Sequence, residues 1–222
     1  MRIRRRPIAV IYDLDGVLLD TEPFYTQVTQ EIVGRFGKRF DWSVKSKMIG
    51  RPSLESARLL VAALELPITP EQYLSERALR LEALFRASPP MRGAESFTRA
   101  MAERQVPQAV ATSSERRLFE LKTLAHARWF ALFQSIVTGD DPRVLAGKPA
   151  PDIFLRAAAD LGVAAHDCLV FEDAPAGVTA ARAAGMQVIA LPDPAMDRDR
   201  YRDADLVVAG FDEIAPVDIG LI

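Results

Sequence analysis

The sequence predicts an α/β fold, a doubly wound and mostly parallel Rossmann-like sheet carrying an inserted all-helical domain. Three observations point there. Six short runs are apolar almost throughout: Ile8–Tyr12, Gln108–Thr112, Ser135–Thr138, Cys168–Phe171, Gln187–Leu191 and Leu206–Ala209. Strands covered on both faces read this way, because neither face meets water. Amphipathic segments alternate with the runs, and strand–helix repetition winds a parallel sheet with helices on both sides. The stretch from about Thr21 to Ser88 breaks that rhythm and contains no convincing strand.

The elements follow in order. The first run comes after the basic Arg2–Arg6 tail and is too short for the apolar region of a signal sequence, with no small-residue cleavage site behind it. The insert then shows two helical faces, Leu54/Ala57/Val61/Leu64 and Leu74/Ala78/Leu81/Phe85. Pro67 and Pro70 separate them, and Pro89-Pro90 closes the segment. The core is therefore expected at residues 1–20 and 90–222, with the helical cap at 21–89. Beyond the cap, Phe97/Ala100/Met101/Arg104, Leu118/Leu121/Ala125 and Ile153/Ala157/Leu161 mark three amphipathic helices. Asp193–Asp205, rich in Asp and Arg, reads as a solvated loop.

Composition narrows the function classes. The chain has 222 residues, enough for one large domain or a domain with an insert at roughly 150 residues each. A hydrophobic share of 49% excludes disorder as a description of the whole. Lys plus Arg is 28 and Asp plus Glu is 30, a net charge of −2, so there is no general drive toward nucleic acid or an anionic membrane. A lone cysteine, Cys168, excludes an internal disulfide framework. No run approaches the roughly 18 apolar residues that span a bilayer. The expectation is a soluble, cytoplasmic monomer with no nucleic-acid or membrane partner.

Reactive side chains gather where the strands should end. The first run ends in Asp13-Leu14-Asp15-Gly16. Alternate strand residues share a face, which sets the carboxylates about 6–7 Å apart on one side. Such a pair repels and needs a cation or a shared proton; an Asx-turn or helix cap would use the same residues. The second run ends in Ala111-Thr112-Ser113-Ser114. A hydroxyl followed by backbone N–H groups at a helix start cradles an anion, and Ser113 or Ser114 would equally serve as an N-cap. Lys148 precedes Pro149 and is held extended, able to aim its ammonium into a negative site or to sit in a surface turn. The fourth run ends in Glu172-Asp173, two acids suited to a hard cation such as Mg²⁺. Asp173 would also suit a cap for a helix starting near Pro175. Acid pair, hydroxyl, lysine and acid pair, each just past a strand of one sheet, describe a phosphoryl-transfer site.

The motifs IYDLDGVLLDTE, ATSSE, GKPAPDIF and LVFEDAPAGV resemble the four signatures of haloacid dehalogenase-like phosphohydrolases, a likeness running from about Ile8 to Pro192. The insert resembles the cap of the β-phosphoglucomutase-like subfamily. A narrower likeness, to pseudouridine-5′-phosphatases, rests on SVKSKMIGRPSLESA, TGDDPRVLAGKPAPDIFL and CLVFEDAPAGVTAARAAGMQV. FMN phosphatases and glycerol-3-phosphatases have similar signatures. The resemblance implies a Mg²⁺-dependent phosphatase of a small phosphorylated metabolite, with pseudouridine 5′-phosphate the leading substrate. It implies that Asp13 attacks phosphorus to form an aspartyl-phosphate. Asp15 then protonates the leaving oxygen and later deprotonates the hydrolytic water. Thr112, with Ser113 beside it, hydrogen-bonds the phosphoryl oxygens, and Lys148 neutralises charge. Mg²⁺ is expected on Asp13, the main-chain carbonyl of Asp15 and Asp173, with Glu172 as ligand or neighbour. The nearby Asp13 gives a reason for Asp15 to hold a proton. The alternatives are a β-phosphoglucomutase-like phosphosugar mutase and a catalytically idle phosphosugar-binding module.

The insert is expected to close over the site and exclude water, with hinges near Val17–Asp20 and Pro89–Gly93. Glu22, Tyr25, Lys47 and Arg51 are candidates to reach the leaving group; Arg51 is preferred because it follows Gly50 in a loop. Tyr25, Trp42 and Met48 would wall a uracil-like ring or form the cap's own core. His126 and His166 have no partner at metal-ligand spacing. Cys168, inside a strand, is expected to be buried and inert. Glu115, next to the phosphate cradle, must point away.

Overall fold

The computed structural model describes residues 5–49 and 53–220. The chain forms two compact units. One combines the segment up to Asp20 with that from Ser88 onward; the other is Thr21–Ala87. The second unit ends ahead of Pro89 because Pro89 and Pro90 are tied to the outgoing segment. Asp20 N–H donates to the Pro89 carbonyl and Met91 N–H to the Leu18 carbonyl, both at 2.8 Å.

The first unit holds a six-stranded sheet: β1 (Ala9–Tyr12), β2 (Gln108–Ala111), β3 (Ser135–Val137), β4 (Cys168–Glu172), β5 (Gln187–Ala190) and β6 (Leu206–Val207). The order is β3-β2-β1-β4-β5-β6 and every pairing is parallel. Each apolar run is a strand, and β1, β2, β4 and β5 are buried along their whole length. The edge strand β6 keeps only two residues of its run.

The second unit is all helix: α1 (Glu22–Gly34), α2 (Trp42–Met48), α3 (Ser53–Ala63) and α4 (Pro70–Phe85). Val28, Ile32, Leu60, Tyr73, Leu81 and Phe85 are among its buried side chains. The Thr29 and Tyr73 hydroxyls meet at 2.8 Å, giving the buried phenol a partner. On α3 the covered face is Ser56/Ala57/Leu60, with Leu54 exposed. On α4, Tyr73, Leu81 and Phe85 are buried whereas Ala78 is exposed.

The sheet is flanked by α5 (Ala94–Glu103), α6 (Arg116–Thr123), α7 (Ala127–Phe130), α8 (Asp152–Leu161) and α9 (Pro175–Ala183). The faces of α5 and α8 run along Phe97/Met101 and Ile153/Ala157, as their periodicity predicts. The face of α6 does not follow its leucines. Phe119, Lys122 and Thr123 are buried, Leu118 and Leu121 are half-covered, and Ala125 beyond the helix is exposed. The cause is an ion pair made by Lys122, described below.

Beneath the sheet, the Tyr12 ring stacks on Phe171 at 5.4 Å, with Phe97, Phe133 and Phe211 around it. Burying each such ring stabilises the fold by about 1.5–3 kcal/mol. The polar atoms in this layer are paired: Tyr12 Oη donates to Gln108 Oε1, Gln108 Nε2 to the Thr98 carbonyl, and Trp129 Nε1 to Thr98 Oγ1. The Asp193–Asp205 segment is less solvated than its composition suggests. It contains a 3₁₀ turn at Arg198–Tyr201 and buries Met196 and Tyr201. Cys168 is buried, and desolvation pushes its thiol up to about 12, which fits an inert residue.

Candidate active site

The strand order reverses between β1 and β4, and ligands in open parallel sheets bind beyond the carboxyl ends at such a reversal. Asp13 and Glu172 lie at those two ends. Asp13 N–H donates to the Phe171 carbonyl at 3.0 Å, so the chain leaves β1 still in register with β4.

Lys148 enters from the loop between β3 and α8. Its Nζ donates to Asp13 Oδ1 at 2.6 Å, Glu172 Oε1 at 2.7 Å and the Ala111 carbonyl at 3.1 Å. One ammonium thus joins the ends of β1, β2 and β4. Its side chain is only 7% exposed. Burial works against the charge, but the Asp13 and Glu172 carboxylates outweigh it and hold the lysine protonated, above its ordinary range. Asp13 is itself raised from 3.8 to about 7. Burial is the largest cause, Lys148 opposes it, and the carboxylates of Glu172 and Asp15 add to it.

Thr112 is buried, and its Oγ1 accepts from Ser114 N–H at 3.1 Å. Serine capping of α6 is not observed. Glu115, exposed, occupies the N-cap position without a side-chain cap bond, and Arg116 N–H donates to Asp140. Ser113 is exposed, while Ser114 turns inward and donates to Asp15 Oδ2 at 2.9 Å.

Asp15 has a partner that sequence reasoning missed. Lys122 Nζ reaches Asp15 Oδ1 at 2.7 Å, Oδ2 at 2.8 Å and Ser114 Oγ at 2.9 Å, from a side chain with 0% exposure. The sequence predicts a cation or a shared proton for the Asp13/Asp15 pair but names no ammonium that would hold the Asp15 carboxylate. The available signal was a lysine three residues after Phe119 and next to Thr123, on one helical face.

At the end of β4, Glu172 is committed on both oxygens, Oε1 to Lys148 and Oε2 to the Ala174 N–H at 2.7 Å. Helix α9 does begin at Pro175, but its N-cap is Ala174 rather than Asp173. The Asp173 carbonyl accepts from Tyr201 Oη at 2.6 Å. The Asp173 carboxylate packs on the Asp13–Gly16 turn: a Cβ built on Gly16, which has φ +78°, would lie 2.4 Å from Asp173 Oδ2.

Among the described residues no group of three or more His, Cys, Asp or Glu side chains is placed to hold a metal ion. With Glu172 committed to Lys148 and Ala174, the expected donors reduce to the carboxylates of Asp13 and Asp173 and the main-chain carbonyl of Asp15. All are hard oxygens, the donor type Mg²⁺ takes, and Asp173 packs on the glycine turn that follows Asp13 and Asp15; a Mg²⁺ that keeps several waters of its own fits that donor set.

The leaving-group candidates belong to the helical unit, and the two histidines to the sheet unit. Glu22 pairs with Lys45 at 3.4 Å. Tyr25 packs edge-on to Phe85 at 5.6 Å, within the unit's own aromatic packing. Lys47 and Trp42 are exposed, and Met48 is half-buried. Gly50 and Arg51 lie outside the described residues. His126 Nε2 meets the Ser88 carbonyl at 2.7 Å, and His166 is largely exposed beside Asp167.

The sequence matches the haloacid dehalogenase-like hydrolase family over residues 9–185. It is 43% identical to (DL)-glycerol-3-phosphatase 2 of Arabidopsis thaliana, covering 96% of this chain and 90% of that protein. It is 41% identical to a protein of Drosophila melanogaster named probable pseudouridine-5′-phosphatase, covering 99% and 96%. The fold superposes on a haloacid dehalogenase family hydrolase of Deinococcus radiodurans, solved with bound phosphate and sodium, at a TM-score of 0.81 and 26% identity over 98% of both chains. With phosphatases at this identity over nearly the whole length, and the motifs gathered at one sheet edge, the chain belongs to the haloacid dehalogenase-like hydrolases and is a phosphatase of small phosphate esters.

Proposed function

We propose that this protein hydrolyses a small phosphomonoester in two steps through an aspartyl-phosphate on Asp13, with Mg²⁺ as cofactor. The observation that carries the reading is Lys148 between Asp13 and Glu172: one buried ammonium holds the nucleophile's carboxylate beside a second acid. An anionic phosphoryl group approaching a carboxylate meets repulsion, and a fixed cation at that point offsets it. Asp13 attacks phosphorus, the ester P–O bond breaks, and Asp15, having taken up a proton from solvent before this step, gives it to the departing alkoxide. A water then attacks the aspartyl-phosphate, Asp15 takes the water's proton, and phosphate leaves with Asp13 restored. Thr112 Oγ1 accepts an amide hydrogen, which leaves its own hydrogen to donate to a phosphoryl oxygen. Asp13, Asp173 and the Asp15 carbonyl would hold Mg²⁺, which supplies further neutralisation of the phosphoryl oxygens.

Relatives named for glycerol 3-phosphate and for pseudouridine 5′-phosphate match at 43% and 41% identity, so these two esters are the first substrates proposed. The test is phosphate release from glycerol 3-phosphate, pseudouridine 5′-phosphate, FMN and sugar phosphates, with and without Mg²⁺. Release from one of the first two at the highest kcat/KM is expected. Isomerised sugar phosphate without free phosphate would favour a mutase instead. Asp13→Asn should abolish turnover with the fold intact by circular dichroism; a fully active variant refutes the mechanism.

A further inference from the structure

Lys122 is a buried cation that the mechanism above does not use. An ammonium has three N–H donors, and three oxygens lie within 2.9 Å of this one: both carboxylate oxygens of Asp15 and the hydroxyl of Ser114. The side chain is fully buried on α6, on the same face as Phe119 and Thr123. Packing alone does not call for a lysine there. Desolvating an ammonium is costly, and a buried ion pair replaced as a whole by apolar residues commonly leaves a fold as stable or more so, so stability alone does not call for the pair. What the lysine adds is a fixed direction for the Asp15 side chain. Asp15 stands in the turn after β1, 23% exposed, where a short carboxylate has several rotamers open to it. The contacts come from α6 and from the β2–α6 loop, the segment that carries Thr112. They therefore register Asp15 against the phosphoryl-binding loop.

We infer that Lys122 is a positioning residue: with Ser114, it orients the Asp15 carboxyl for proton transfer to the departing oxygen and from the attacking water. The inference rests on the reading of Asp15 as acid and base, and the test separates the two. It compares kcat/KM for two esters. One is the best alkyl phosphate of the substrate screen, glycerol 3-phosphate or pseudouridine 5′-phosphate, whose alkoxide needs a proton to leave. The other is p-nitrophenyl phosphate, whose phenolate leaves without one. General acid catalysis contributes roughly 10²–10⁴-fold. Asp15→Asn should lose on that order with the alkyl ester and far less with the aryl ester. Lys122→Met should lose at least about tenfold with the alkyl ester, with the same bias between esters, and Ser114→Ala should show a smaller loss of the same pattern. Thermal melts of each variant report folding; if Lys122→Met does not fold, the Ser114→Ala pattern decides. Asp15→Asn biased between the esters, with Lys122→Met and Ser114→Ala reducing both equally, overturns the positioning role alone. No bias in Asp15→Asn itself overturns the acid role, and the inference with it.

Discussion

At Gly177, in the first turns of α9, a Cβ would lie 1.7 Å from Glu172 Oε1, the oxygen that Lys148 grips. Neither the helix nor the strand end can yield that much, so Gly177→Ala must push the carboxylate aside. Overpacking of this kind costs about 1–3 kcal/mol of stability, and the lysine loses one of its two acids. We expect a lower melting temperature together with a fall in kcat of roughly tenfold or more; a variant with wild-type kcat would show that Lys148 does not depend on Glu172. Asp13 gives a pH signature. Folded, it keeps its proton to about 7; unfolded, it releases it near 3.8. Between those values the native state binds more protons than the unfolded state, so this residue's contribution to stability falls as pH rises through the window and levels off above it. Asparagine cannot titrate. In metal-free protein the stability of Asp13→Asn relative to the natural protein should therefore grow from pH 4 to pH 7, followed by denaturant melts, and a constant difference would contradict the shift.

Elements differ in how far local chemistry specifies them. Helix α4 is specified at its start. Thr69 Oγ1 accepts from Gln72 N–H at 3.2 Å, Gln72 Oε1 accepts from Thr69 N–H at 2.8 Å, and Pro70 opens the helix. Thr69→Ala should cost about 1 kcal/mol, read as a lower denaturant midpoint for the helical unit. The strands were legible for a related reason: burial on both faces leaves a continuous apolar run that no surface helix would carry. Helix α6 was misread because its face is chosen by Lys122, and periodicity counts a lysine as solvent-facing unless its counter-ion is known. That counter-ion, Asp15, is separated by 107 residues and the whole insert. Tyr201 escaped notice similarly, because its polar surroundings hid a buried ring whose hydroxyl serves the Asp173 loop. The site residues at strand ends were legible because parallel topology fixes where strand ends meet. Which oxygen each would hold was not, since that depends on side-chain pairings across the sheet.

At the level of the whole molecule, the segments entering and leaving the helical insert run beside each other. Leu19 bridges antiparallel to Pro90, and two hydrogen bonds at 2.8 Å flank the bridge. The sheet and the residues at its edge all belong to the other unit. Joining Leu19 to Pro90 through a short Gly-Ser bridge should therefore yield a sheet domain that still melts cooperatively; loss of a cooperative transition would show that the two units fold only together. If it does melt as one body, the helical insert is an appendix on a single stem, and foreign helical modules of other sizes can be grafted at that stem without rethreading any strand.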